Sequence, residues 1–319
     1  MSSEQVITFT DLDGRLLALK PDVTLSIAKT AQPAPGETLR YYYHENVYRP
    51  SAESHTFQEI SQMGLEMLGA VGEAQVQQAV RLAAQSLAQL GAAWVLEVSH
   101  MGYLFGLFDA LGVPENARPG LLEKLREKNA HELRRAAQAA GLDAAGAAAL
   151  TGLLELSGSC EETLAKAESA CRNDRMRAAA AELRALAKTL EASGGAVRLD
   201  LSLAGEMEYY NGLVFQGYLQ GLPRPLLKGG RYDLLMQKFT PGAGAIGFAV
   251  YLDELDRLSA PTPPVQRNST DRVMLNVALP KGRLGDKMYD LLARIGYGCT
   301  EDYNATRKLV VENLSLIHI

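Results

Sequence analysis

LAGEMEYYNGLVFQGYL (Leu203–Leu219) and, after a Pro/Gly-rich turn, KGGRYDLL (Lys228–Leu235) are the stretches that decide the fold. The first reads as a strand carrying two adjacent tyrosines, Tyr209 and Tyr210. The second reads as a backbone-permissive Gly-Gly-Arg-Tyr-Asp turn. Together they predict one wall of a small polar pocket.

Upstream of that wall, TLRYYYHENVYR (Thr38–Arg49) and FQEISQMGLEMLG (Phe57–Gly69) alternate as strands around a short polar loop. A loop this short cannot make a parallel crossover, so the pair is expected to be antiparallel. Before it comes a hairpin, VITFT and RLLALK around the turn Asp11–Gly14. Pro21 ends that hairpin, and Asp22 or Thr24 can cap the helix VTLSIAK. A helix from about Glu73 to Leu90 and the strand WVLEVSH follow. From about Gly102 to Ser193 apolar residues recur at three- and four-residue spacing in an Ala/Leu/Glu/Lys/Arg-rich background, which predicts a helical insertion (about 102–193). Strands return at VRLDLSL and LVFQGYL, and a closing helix is expected from about Ala245 to Leu258.

The fold class expected is α+β: a mainly antiparallel sheet with flanking helices and a helical insertion, occupying residues 1–259. Residues 260–270 contain PTPPVQRNST, a linker by composition. Residues 271–319 open with the continuous apolar strand RVMLNVAL and a Gly/Lys loop into an amphipathic helix. They read as the truncated start of an α/β domain, since one βαβ unit needs roughly 30 residues and a domain needs several.

Composition narrows the function. The chain is 47% hydrophobic and 22% charged, as globular proteins are. Its net charge is −5 without a Lys/Arg cluster, which weighs against tRNA binding, because phosphate contacts supply most such affinity. The three cysteines form no Cys-x-x-Cys pair, so neither a disulfide framework nor a metal site is expected. Without a membrane-length apolar run or a signal-peptide pattern, the expected location is the cytoplasm. Gly242–Gly247 matches Gly-x-Gly-x-x-Gly, but no strand directly precedes it and a Pro-rich stretch follows. Close strand–helix packing is the preferred reading there.

Four motifs place polar groups at strand ends or along one strand face: KPDVT (Lys20–Thr24), ENVYR (Glu45–Arg49), QMGLE (Gln62–Glu66) and EYYNG (Glu208–Gly212). A free amino acid needs anions for its ammonium and a cation for its carboxylate. Asp22 and Glu66 suit the first and Arg49 the second, while Gln62, Tyr209 and Tyr210 supply the remaining polar walls.

In order and spacing, the motifs of Val6–Leu258 resemble the catalytic domain of histidyl-tRNA synthetase, a class II synthetase fold. KPDVT is similar to that family's Arg-Pro-Glu-x-Thr loop, which implies that Asp22 and Thr24 bind the amino acid. NVYR resembles the second class II motif, with Arg49 as its arginine. QMGLE supplies Gln62 and Glu66. MEYYNG resembles the histidine-specific Leu-Asp-Tyr-Tyr element, and GGRYD (Gly229–Asp233) the family's matching turn. By the same resemblance, the family's opening helix and dimer-forming first motif precede Met1.

Three departures change what this implies. Gly205 stands where the family has its histidine-activating arginine, and Glu254 stands where the third motif's arginine holds ATP. The loop Pro50–Thr56 contains no Lys or Arg. Losing one such preorganised group costs about 100- to 1000-fold in rate, so adenylate formation is not expected. A synthetase-like domain with these losses resembles the regulatory subunits of ATP phosphoribosyltransferase. LNVALPKGRLGDKMYDLLARIGYG…RKLVVEN (Leu275–Asn313) resembles the start of that enzyme's short-form catalytic subunit, which implies a phosphate-binding turn at Lys281, Gly282 and Arg283.

The resemblance thus implies a non-catalytic chain that assembles with the catalytic subunit, raises its activity and senses histidine for feedback inhibition. It implies no cofactor in this chain, with Mg, ATP and phosphoribosyl diphosphate belonging to the partner, and neither tRNA nor membrane as a partner. The alternatives are histidyl-tRNA synthetase-type aminoacylation and a fused ATP phosphoribosyltransferase enzyme.

Overall fold

The computed structural model describes residues 6–50, 56–191, 196–205 and 209–259. The expected linker, the start of an α/β domain with Lys281, Gly282 and Arg283, Glu208, and most of the Pro50–Thr56 loop lie outside the described residues.

A small hairpin, β1 (Thr8–Thr10) and β2 (Leu16–Ala18), leads into helix α1 (Val23–Thr30). Asp22 caps α1 by accepting a hydrogen bond from Leu25 N at 2.7 Å. Such a cap contributes about 1 kcal/mol. Two thirteen-residue strands follow, β3 (Thr38–Pro50) and β4 (Phe57–Gly69), antiparallel along their full length. Next come α2 (Glu73–Ala88) and β5 (Trp94–His100).

The insertion comprises α3 (Met101–Ala110), α4 (Arg118–Arg126), α5 (Ala130–Ala139), α6 (Ala144–Thr151), the two-residue strand β6 (Ser157–Gly158), α7 (Cys160–Ser169) and α8 (Asp174–Glu191). The chain returns through β7 (Val197–Asp200), β8 (Leu213–Leu219), β9 (Leu227–Arg231), α9 (Asp233–Gln237), β10 (Gly244–Tyr251) and α10 (Leu252–Ser259).

The main sheet runs β3-β4-β10-β9-β8-β5-β7-β6, and every neighbouring pair is antiparallel except β5 with β7. This is the α+β architecture expected. Strand periodicity sorts its faces. Met67, Leu96, Val98, Phe215, Leu227, Ile246 and Phe248 point into the large core, where Leu87 of α2 lies against Gly217. On the opposite face α1 and α9 bury Ala28, Leu68, Tyr232, Met236 and Ala245, and Val23 of α1 closes over Tyr43 and Val47 of β3. Beside that small cluster, Gln62 and Glu66 share the face away from the large core.

Three local expectations are corrected. Residues 244–251 form strand β10, between β4 and β9, and only 252–259 are helical. The period of two is masked because glycine and alanine alternate with Ile246 and Phe248; the small residues face the polar side of the sheet. Of the glycines of this run, Gly247 makes room for Glu66 of the neighbouring strand, while Gly244 lies against Asp233, the first residue of α9, as close strand–helix packing expects. GGR belongs to β9, with Tyr232 and Asp233 following it. The tyrosine pair precedes β8 instead of lying on it, because Asn211 is tied to β9 and α9: Asn211 N donates to Arg231 O, and Asn211 Oδ1 accepts from Asp233 N.

Candidate functional site

Glu66 lies at the centre of the site. The register places Glu66 on β4 opposite Gly247 on β10, then Gly230 on β9 and Val214 on β8. Glycine at 247 is required, since a side chain there would collide with Glu66 Oε2. The Glu66 carboxylate therefore lies over β10 and reaches Tyr232 beyond it. Thr24 donates to Oε1 at 2.5 Å and Tyr232 to Oε2 at 2.5 Å.

Only 2% of Glu66 is exposed, and burial pushes its carboxyl up to about 8. The two hydrogen bonds pull the other way, and the charge of Asp22 adds to the rise. Desolvation wins, and among the described residues no cation contributes to holding the carboxyl down.

Aromatic hydroxyls surround it. Tyr209 stands edge-on to Tyr210 at 4.8 Å and 5.5 Å from Tyr232, centroid to centroid. Tyr43 and Tyr209 both lie close enough to Thr24 to be influenced by its hydroxyl. Burial, reinforced by the neighbouring acids, raises the phenols of Tyr43, Tyr209 and Tyr232, so all three stay protonated as donors. Gln62 is buried four residues before Glu66 on the same face. Gly64, between them, gives its side-chain space to the ring of Tyr43.

Asp22 and Arg49 are arranged differently from their expected division between ammonium and carboxylate. Arg49 Nη2 pairs with Asp22 Oδ2 at 2.9 Å and Nε donates to Pro21 O at 2.6 Å, while Asp22 Oδ1 caps α1. The pair braces the loop that presents Thr24. A long-range pairing of this kind leaves no local sequence signal.

Asp233 joins the two diagnostic segments. It accepts from Arg231 Nε at 2.7 Å, from Ala245 N at 2.9 Å and from Asn211 Nδ2 at 3.5 Å. Tyr232, Tyr43, Asn211 and Asp233 were not among the expected site residues. Tyr232 and Asp233 were visible within GGRYD, whose reading as a turn hid their side-chain roles.

Gly205 lies against Tyr210. A Cβ at 205 would sit 2.5 Å from Tyr210 Cδ2 and 3.2 Å from Val214 Cγ1. Glu254 lies in the first turn of α10; its buried Oε2 has no hydrogen-bond partner among the described residues, and Arg257 Nη1 lies 3.4 Å away. Two clefts, of about 640 and 560 Å³, have other linings: Cys171, Arg177 and Arg184 in one, Val71, Arg231 and Gly242 in the other. The chemistry thus converges on Glu66, where ionisable and hydroxyl groups with perturbed pKa values meet.

A mainly antiparallel sheet flanked by helices in this way defines the class II aminoacyl-tRNA synthetase-like fold. The sequence profile of the histidyl-tRNA synthetase family matches residues 1–255. The chain belongs to that family, and curated relatives that it resembles at 31–35% identity are called ATP phosphoribosyltransferase regulatory subunits. One such member, from Desulfitobacterium hafniense, is 33% identical over 248 residues, covering 76% of this chain and 64% of the relative. The chain therefore spans just under two thirds of that relative's length.

A crystal structure described as an ATP phosphoribosyltransferase regulatory subunit/histidyl-tRNA synthetase from Bacillus halodurans matches with TM-score 0.70 and 31% identity, covering 81% of this chain and 69% of that one. The ATP phosphoribosyl transferase (HisG:HisZ) complex from Thermotoga maritima shares the fold, with TM-score 0.63 and 19% identity over 76% of this chain and 84% of that one.

Proposed function

We propose that the chain is a regulatory subunit of ATP phosphoribosyltransferase, the first step of histidine biosynthesis, and that it binds histidine as a signal rather than activating it. The observation that carries this reading is the contact of Tyr210 with Gly205. At the position where the resemblance expects an activating arginine, the pocket has a glycine with an aromatic ring against it. Glu254, at the expected ATP-holding position, is acidic and partly buried. Each missing cation removes about 100- to 1000-fold of transition-state stabilisation. The carboxylate of Glu66, the amide of Gln62 and the hydroxyls of Thr24, Tyr209 and Tyr232 suit the N–H donors of an ammonium or imidazole.

In this reading the partner is the short-form catalytic subunit, which brings Mg, ATP and phosphoribosyl diphosphate. This chain needs no cofactor, does not bind tRNA and works in the cytoplasm. Among the described residues, no helix is long and apolar enough to cross a membrane. Feedback requires a coupling free energy between the histidine site and the partner's active site, typically about 1–3 kcal/mol.

Reconstitution with a short-form catalytic subunit tests the proposal. Adding the chain is expected to raise phosphoribosyl-ATP formation, and histidine to suppress that gain. A catalytic subunit indifferent to the chain would refute the assignment.

A further inference from the structure

The corner between α4 and α5 of the helical insertion grips the backbone that leads into the tyrosine pair. Arg126, the last residue of α4, donates Nε to Ala204 O at 3.2 Å and Nη2 to Gly205 O at 2.7 Å. Two residues on, Lys128 has φ 53°, the one positive value for a non-glycine residue among those described. That is the position just past the end of α4, where helices commonly turn left-handed, and Lys128 N donates to Leu125 O there. From this turn Lys128 Nζ reaches Asp200 Oδ2 at 2.6 Å. Asp200 is itself buried, and its Oδ1 accepts from the backbone and hydroxyl of Ser202. One corner of the insertion thus holds both ends of Asp200–Gly205.

From Gly205 a continuous set of contacts runs to Glu66. The Gly205 N–H meets Met101 Sδ at 3.3 Å, and the missing side chain at 205 lets the Tyr210 ring come against the backbone. Tyr210 stacks edge-on with Tyr209, Tyr209 packs on Tyr232, and Tyr232 donates to Glu66. Arg126 is solvent-exposed at the start of this set, so its two bonds can be removed without opening the core that Leu121, Leu122 and Leu125 of α4 pack into.

We propose that Arg126 is a positioning residue through which the helical insertion sets the tyrosine pair, with Lys128 anchoring the same segment. Ligand occupancy at Glu66 and the placement of the α4–α5 corner then bias one another, as linkage requires. This rests on the proposed function only for the identity of the ligand as histidine.

The test combines hydrogen–deuterium exchange with calorimetric histidine titration of the full chain, comparing wild type, Arg126→Ala, Arg126→Lys and Arg118→Ala. Arg118 is the control, because its salt bridge to Asp109 stays within the insertion. Arg126→Ala is expected to speed exchange several-fold in the peptide Leu203–Asn211 while α4 and α5 keep their protection. Histidine affinity should fall about two- to thirtyfold, the range seen for residues that act on a site without touching its ligand. Arg126→Lys should recover part of both effects, and Arg118→Ala should match wild type. Unchanged exchange at Leu203–Asn211 overturns the proposal whether or not histidine binds. Faster exchange with undiminished histidine affinity overturns the coupling. A wild-type chain that ignores histidine overturns the ligand assignment, and exchange then decides the positioning role alone.

Discussion

Tyr232 Oη lies 2.5 Å from Glu66 Oε2, a bond that crosses above β10 from the end of β9 to the middle of β4. It holds together two segments 166 residues apart in the chain. The bond exists because Gly247 leaves the space between them empty. A carboxyl group so placed is poorly solvated and keeps its proton up to about pH 8, and the N–H groups of a cationic ligand would favour its charged form.

Glu66 should make the ligand-free protein less stable as pH rises. Its folded-state pKa is raised to about 8 from an ordinary 4.5. Between those values the folded state holds a proton that the unfolded state has lost, so the group's contribution is full below about pH 4.5 and lost as pH rises through 8. Between pH 5 and pH 8 the change amounts to about 3 kcal/mol. Urea denaturation of wild type and Glu66→Gln across that window should show this slope in wild type and its loss in the variant.

Gly247→Ala introduces a methyl group where the Glu66 carboxylate lies. Overpacking of this kind costs about 1–3 kcal/mol. The displaced carboxylate should also lose the Tyr232 bond, so histidine binding is expected to fall with stability. Thermal denaturation beside a histidine titration separates the two effects: a folded variant with wild-type affinity would mean that the ligand does not use Glu66.

Restoring the synthetase's cation by Gly205→Arg is expected to fail. The new side chain meets Tyr210 and Val214 at once, so the variant should lose about 1–3 kcal/mol of stability and show no histidine-dependent ATP–pyrophosphate exchange. Exchange well above background in that variant would show that one substitution separates this pocket from an active synthetase site.

The fold was legible where side chains alternate strongly. Tyr43 and Val47 face inward on β3, while Leu96 and Val98 mark the core face of β5, and those strands appear where the pattern places them. It was not legible at β10, where glycine and alanine occupy the polar face and weaken the contrast that signals a strand. Gln62 and Glu66 were placed on one face by spacing alone, and the structure brings Thr24 and Tyr209 to Glu66. The roles of Tyr232 and Asp233 depend on partners at Glu66, Ala245 and Asn211, contacts that local pattern does not encode. The same is true of the Asp22–Arg49 pair, 27 residues apart.

The most direct measurement is calorimetric titration of histidine into the chain assembled with its catalytic partner, comparing wild type with Glu66→Gln and Tyr232→Phe. The account predicts saturable binding in wild type and at least about a tenfold loss in Glu66→Gln, as expected for a hydrogen bond to a charged group. Tyr232→Phe should bind more weakly by a smaller factor. Wild-type affinity in both variants would contradict the claim that this buried carboxylate and its tyrosine read histidine.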